Sequence, residues 1–362
     1  MSEWQWLELA AGIFVVGLML YDVFASVVVP RMVSPTLRLS VGMVRLTWRL
    51  WKWYALGIKD PDKREDSLGR YAPAVLVLLL IVWLIGLLLG YGLVFYALRA
   101  HTQPPIHSYF DAVYFAGASM LTIGYGDIVA TGDMTRLFSL AAGATGLALF
   151  ALIISFIFSI FGAFQRRELF IVMMGSRAGA PASGVTFLES AGKYKLYDDL
   201  VTSMREAEAW AASVLESHLA YPTLTYFRSS HDDESWVGTL GAMLDAATLL
   251  MTIADSPYLG QAKLLHNICV HLVRDLSRYF RLEGDDVIGI DRREFDQACA
   301  QLSAAGWSIH ADDEAWRRFA ALRMQYAGPL NAMAAFWAIP PARWIGDRSE
   351  ISARSMHAAV TR

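Results

Sequence analysis

The chain has 362 residues, 55% of them hydrophobic and only 18% charged, with a net charge of −3. This apolar content lies above the soluble-globular range, and without a basic block nucleic acid is excluded as a partner. The imbalance is local, because residues 1–164 hold 21 charged side chains and residues 165–362 hold 44. A membrane half therefore precedes a half of ordinary soluble composition.

The first predicted element is a membrane span from about Trp6 to Val29, ended by Pro30. Acidic Glu3 and Glu8, in place of a basic region, argue against a secretory leader. Asp22 lies inside this span. An intramembrane carboxylate is either a functional group or half of an ion pair near the inner interface, here with Arg31 or a following basic residue. Residues 31–70 form a loop holding nine Lys or Arg: Arg31, Arg38, Arg45, Arg49, Lys52, Lys59, Lys63, Arg64 and Arg70. The positive-inside bias puts that loop in the cytoplasm. The N-terminus and residues 100–135 are then outside, and the C-terminal half is inside, in a multi-pass protein of the cell membrane. Within the loop, "RLSVGMVRLTWRLWKW" predicts an amphipathic helix at the membrane surface, in contact with lipid.

The second span starts at about Tyr71 and carries no charge between Arg70 and Arg99; the third lies between Arg136 and Arg166. Between them, Pro104 and Pro105 break the chain. Ser108 with Asp111 three residues later resembles a capping pair, and a helix follows to about Ser119. At roughly 18 Å it is too short to cross a bilayer. A helix stopping midway must face its last carbonyls toward something polar, and its negative dipole end favours a cation there. The return path runs through Thr122, Ile123, Gly124, Tyr125 and Gly126. Glycine readily adopts positive φ, so alternating glycines let one strand turn successive carbonyls toward one axis. Irregular backbone at that depth must line an aqueous path or be buried in protein.

"T-I-G-Y-G-D", Thr122 to Asp127, resembles the potassium-channel selectivity filter, whose T-V-G-Y-G form supplies carbonyls that replace the ion's hydration shell. The order of spanning helix, short helix, filter and spanning helix over residues 71–165 resembles that family's pore domain, of the prokaryotic type with an extra N-terminal span. The resemblance implies K+ binding at Thr122, Ile123, Gly124, Tyr125 and Gly126, with Asp127 at the outer mouth. It also implies a gating hinge at Gly146 or Gly143, for which close packing by small residues is the alternative. Two positions depart from the family. Ala118 stands where some bacterial members have a glutamate, and Tyr114 where a tryptophan is frequent. One filter copy per chain implies a homotetramer, since a closed ring in this family takes four strands.

In the second half, "GSRAGAPASG" within residues 166–184 predicts a looped linker. Residues 185–362 read as helical, with helices at about 194–220, 234–254, 260–282, 291–306 and 312–338. Asp291 with Glu294 forms a capping box, and the acidic run His231–Glu234 fits the start of a helix, with metal binding as the lesser alternative. His271 and Asp275 can meet, while His266 faces elsewhere. Cys269 and Cys299 suit a reducing cytoplasm and have no metal-ligand spacing. Neither a phosphate-binding loop nor a dinucleotide fingerprint occurs, so no cofactor and no enzymatic activity are expected. The fold class is an all-α membrane protein: a pore unit, one extra N-terminal span (residues 1–30), and a helical cytoplasmic domain with an unassigned ligand or partner. The expected function is passive, potassium-selective conduction. A weakly selective cation channel, or a sensor using a channel-like membrane part, are the alternatives.

Overall fold

The computed structural model describes residues 2–29, 38–231, 233–254, 258–282, 284 and 288–345. Among them the protein is all-α apart from two two-residue strands, and it divides into two units, Met1–Phe161 and Gly162–Arg362.

In the first unit, α1 (Glu3–Val27) and α3 (Pro61–Ala97) are both apolar and long enough to span. They lie against each other through small residues, Gly86 and Gly90 four apart on α3 and Gly12 on α1. A methyl on Gly12 would sit 2.8 Å from the Gly90 carbonyl, and one on Gly86 would meet Met19 Sδ at 2.4 Å. Close backbone approach of this kind is how helices associate in lipid, where hydrophobic burial supplies little. Near the C-terminal end of α3, Arg99 pairs with Glu8 at 2.7 Å and stacks over the Tyr96 ring.

Between these spans, α2 (Leu39–Leu56) packs on the base of α3. The Tyr71 hydroxyl donates to the Val44 carbonyl at 2.8 Å, the Trp51 indole donates to the Ser67 carbonyl at 2.9 Å, and the Trp48 and Tyr71 rings lie 4.9 Å apart. The predicted surface helix is thus anchored to protein along one face.

Asp22 is fully buried, and its environment differs from the expected ion pair. It accepts from Trp83 Nε1 at 2.8 Å, from Ser40 Oγ at 3.0 Å and from the Ser40 backbone amide at 3.3 Å. Ser40 lies in the first turn of α2, whose N-cap residue, Arg38, makes no side-chain capping bond. The carboxylate of one helix thereby caps the start of another, where unsatisfied amides and the positive dipole end favour an anion. Arg31, the other expected partner, lies outside the described residues.

The third span, α5 (Asp133–Ala178), continues through what the sequence predicts as linker. Arg167, Phe170, Ile171, Met174 and Ala178 recur at helical spacing and are all buried within the second unit, whose packing holds this stretch as helix. Only residues 179–183 remain as connector before α6 (Gly184–Lys193), a helix the sequence reading missed.

The second unit is a helical bundle of that α5 segment with α6, α7 (Tyr197–Ala220), α8 (Trp236–Ile253), α9 (Leu259–Phe280), α10 (Arg292–Ala304), α11 (Asp313–Arg323) and α12 (Ala327–Trp337). By length and apolar composition α8 could also cross a membrane. Every residue of it except Met251 is buried by the unit's own helices, which marks it as a core helix. The helix predicted over 312–338 divides in two around Gln325. Tyr326 is there drawn into the core, its hydroxyl donating to Asp245 at 2.7 Å. Arg323 pairs with the same carboxylate and donates to the Ile288 and Trp344 carbonyls. Burial nevertheless raises the Asp245 carboxyl to about 6. The Asp291–Glu294 capping box is present, but α8 is capped by Ser235, one residue past the acidic run. His271 meets Asp275 at 3.4 Å. His266 is buried, with its ring against Tyr326.

Candidate functional site

Helix α4 (Tyr109–Met120) is the short helix between α3 and α5. Its start carries the reciprocal Ser108–Asp111 box, with bonds of 3.1 and 3.0 Å. Two strands, β1 (Thr102–Gln103) and β2 (Val129–Ala130), pair antiparallel and close the ends of the connection between α3 and α5. Tyr91 of α3 meets Thr145 of α5 at 2.8 Å, and Phe95 packs edge-on to Phe115 at 4.7 Å, so α4 is held between the spans.

The chain leaves α4 in an unusual conformation. φ is positive at Thr122 (54°), Gly124 (61°) and Gly126 (80°), and not at the intervening Ile123 and Tyr125. Alternating the sign of φ along the segment is the pattern expected of a strand that turns successive carbonyls toward one axis. Two of the three positive positions are glycine, which takes that region freely. Thr122 is β-branched and does so at a cost of about 1–2 kcal/mol, a strain of the kind that surrounding structure sustains at functional sites. The sequence placed Thr122 among the candidate ion-binding residues but gave no sign of this backbone state, because threonine carries no signal for it.

Hydrogen bonding completes the arrangement. The amide of Thr122 donates to the Ser119 carbonyl at 3.3 Å, and those of Ile123 and Gly124 to the Ala118 carbonyl at 3.0 and 3.3 Å. The expected polar-facing carbonyls at the end of α4 are therefore largely satisfied by the following segment itself. Among the described residues, no hydrogen bond is accepted by the carbonyls of residues 121–127. Five consecutive carbonyl oxygens, from Thr122 to Gly126, are thus left for another partner, on a segment wholly exposed in the single chain. Nothing lies within 4 Å of a methyl placed on Gly124 or Gly126. Unpaired carbonyl dipoles of this kind, gathered together, suit a partly dehydrated cation.

Around this segment, Tyr114 donates its hydroxyl to the Asp127 carboxylate at 2.7 Å, and its ring stacks on Tyr125 at 6.5 Å with planes 2° apart. The sequence marked Tyr114 only as a departure from a family pattern; the structure makes it the brace between Tyr125 and Asp127. Ala118 contributes its carbonyl and no carboxylate. Gly146 faces the end of α4, where a methyl would fall 1.9 Å from the Met120 carbonyl oxygen. That contact gives Gly146 a close-packing duty. Gly143 has more room, its nearest such neighbour being the Ser119 carbonyl oxygen at 3.5 Å.

Past the third span, Arg167 is the most enclosed cation at the foot of α5. It donates to the Leu224 carbonyl at 3.1 Å and the Phe227 carbonyl at 2.8 Å, pairs with Glu168 at 3.0 Å and touches His218 Nε2 at 3.3 Å. Glu168 in turn accepts from the Ser230 amide at 3.3 Å. Burial and the neighbouring Arg167 charge hold the His218 imidazole well below its usual range.

Residues 79–163 match the family model described as an ion channel. This range takes in the second half of α3, all of α4, the Thr122–Asp127 segment and the apolar part of α5. The chain is also similar, at 23% identity over 220 residues, to "Uncharacterized membrane protein YdjJ" of Bacillus subtilis (strain 168). That match covers 59% of this chain and 63% of the relative. No solved structure matches the chain. With the spanning helices, these similarities support a multi-pass membrane protein whose pore domain is that of an ion channel.

Proposed function

We propose that the protein is the subunit of a potassium-selective channel in which four copies enclose one pore. The observation that carries this reading is the alternating left-handed backbone at Thr122, Gly124 and Gly126, with its amides turned back to α4 and its carbonyls unpaired. One chain offers a single strand of such carbonyls, too few to replace a hydration shell. A ring of four supplies enough at each level. Asp127 adds negative charge at the mouth, and the second unit, joined to α5, regulates opening from the cytoplasmic side. A weakly selective cation channel is the competing reading. The stacked Tyr125–Tyr114 pair disfavours it, because it braces the strand against widening.

The test is flux into proteoliposomes, with potassium or sodium as the driven ion, together with native mass spectrometry in mild detergent. Potassium flux well above sodium, from a four-fold complex, is the expected result. Equal passage of both ions removes selectivity, and a monomer or dimer removes the pore.

A further inference from the structure

The helix α2 presents three strips, of which the protein fully buries one; in the basic strip Arg49 is exposed and Arg45 and Lys52 are half-buried. Ser40, Val44, Trp48 and Ala55 are buried. Leu46, Leu50 and Trp53 form a second strip, exposed by 60, 60 and 79%. Arg45, Arg49 and Lys52 form a third, each one residue before a member of the apolar strip. One residue is about 100° around a helix, so the basic and apolar strips run side by side with matching spacing. α2 contains no acidic residue. Neither Arg45 nor Arg49 has an ion-pair partner among the described residues.

We infer that this double strip is a binding surface for an anionic phospholipid, the phosphate on Arg45 and Arg49 and the acyl chains along Leu46, Leu50 and Trp53. A soluble anion would use only the basic strip and a neutral lipid only the apolar one. A molecule with charge and hydrocarbon at adjacent positions uses both. The level fits as well: α2 is fastened beside Ser67 and Tyr71 of α3, next to Arg70, where the uncharged run of that span begins. Basic side chains at such a boundary are attracted to anionic headgroups, and neighbouring aromatic residues settle at the same depth. Because α2 is bonded to α3 and, through Asp22, to α1, occupancy of the strip bears directly on the helices of the pore unit.

The experiment uses the full chain in detergent, titrated with phosphatidylglycerol or phosphatidylcholine and read by native mass spectrometry. Preferential retention of phosphatidylglycerol is expected, weakening as salt rises. Each of Arg45→Gln and Arg49→Gln should lower that retention about fivefold, the effect of about 1 kcal/mol per basic side chain. Arg274→Gln with Arg278→Gln, which removes equal charge from the second unit, should leave it unchanged. Leu46→Ser with Leu50→Ser should also weaken it, whereas added inorganic phosphate should not displace the lipid. Equal retention of both lipids, unaltered retention in the Arg45/Arg49 double variant, or displacement by inorganic phosphate would overturn the proposal. The readout is binding and does not depend on conduction, so failure of the channel reading and failure of this one are distinguishable.

Discussion

Gly146 of α5 and Met120 of α4 meet backbone to backbone, with no space for a side chain between the glycine and the Met120 carbonyl oxygen. Met120 is the last residue of α4, two before the left-handed Thr122, so this contact sets how near the third span lies to the start of the carbonyl strand. Gly146→Ala must push the helix or the strand aside. Overpacking of this kind costs about 1–3 kcal/mol, and thermal unfolding of the purified assembly should fall accordingly, with flux reduced. Gly143→Ala should be mild by comparison. Equal stability of the two variants would remove the packing role.

Gly126→Ala tests the strand itself. Its φ of 80° is costly for alanine, on the order of 1–2 kcal/mol in each copy. The surroundings are open and the spans untouched, so expression and assembly should persist while potassium flux is lost. Undiminished flux would show that the Gly126 carbonyl does not serve the ion.

The Tyr114–Asp127 bond separates two duties of one side chain. Tyr114→Phe keeps the ring stacked on Tyr125 but removes a hydrogen bond to a carboxylate. Because that bond is exposed to solvent, only a small loss of thermal stability is expected, with ion preference retained. Tyr114→Ala removes the stack as well and should relax discrimination against sodium. Identical selectivity in both variants would argue that the stack does not brace the strand.

Arg167→Leu leaves Glu168 without its cation and the Leu224 and Phe227 carbonyls without their donor. Breaking a buried pair from one side costs about 3–5 kcal/mol. Scanning calorimetry should show a large destabilisation of the second unit. In flux assays the open fraction should change, and the ratio of potassium to sodium should not.

His218 supplies a pH dependence of known sign. Burial and Arg167 depress its folded-state pKa, so the native unit holds the neutral imidazole while the unfolded chain takes up a proton near pH 6.5. The stabilisation is complete above that value and is lost as pH falls from it toward the folded value, at up to about 1.4 kcal/mol per pH unit. The midpoint of unfolding should drop between neutral pH and mild acid, and His218→Gln should flatten that drop. An equal slope in the variant would assign the acid sensitivity to other groups.

The spans, α4 and the Thr122–Asp127 segment were legible in the chain itself, because each rests on information that is local in sequence. An uncharged run of membrane length, a Ser108–Asp111 box and a glycine at each of two positions needing positive φ all act through neighbours a few residues away. The same holds for the Asp291–Glu294 box. What the chain could not disclose depends on residues far apart in sequence meeting in space. Asp22 looked like half of an ion pair, and only the folding of α1, α2 and α3 together supplied Trp83 and Ser40 as neutral donors. Residues 166–178 looked like linker, because their helical face has meaning only once Arg167 and Phe170 find partners some 40–60 residues later. Thr122 is a different case. Its own chemistry opposes a left-handed backbone, and the amide bonds that tie Thr122, Ile123 and Gly124 back to Ser119 and Ala118 are local, yet threonine as a residue type does not announce the angle. Tertiary structure decided where that turn sits, because the backbone of Met120 just before it is seated against Gly146 of α5, a meeting of residues far apart in the chain.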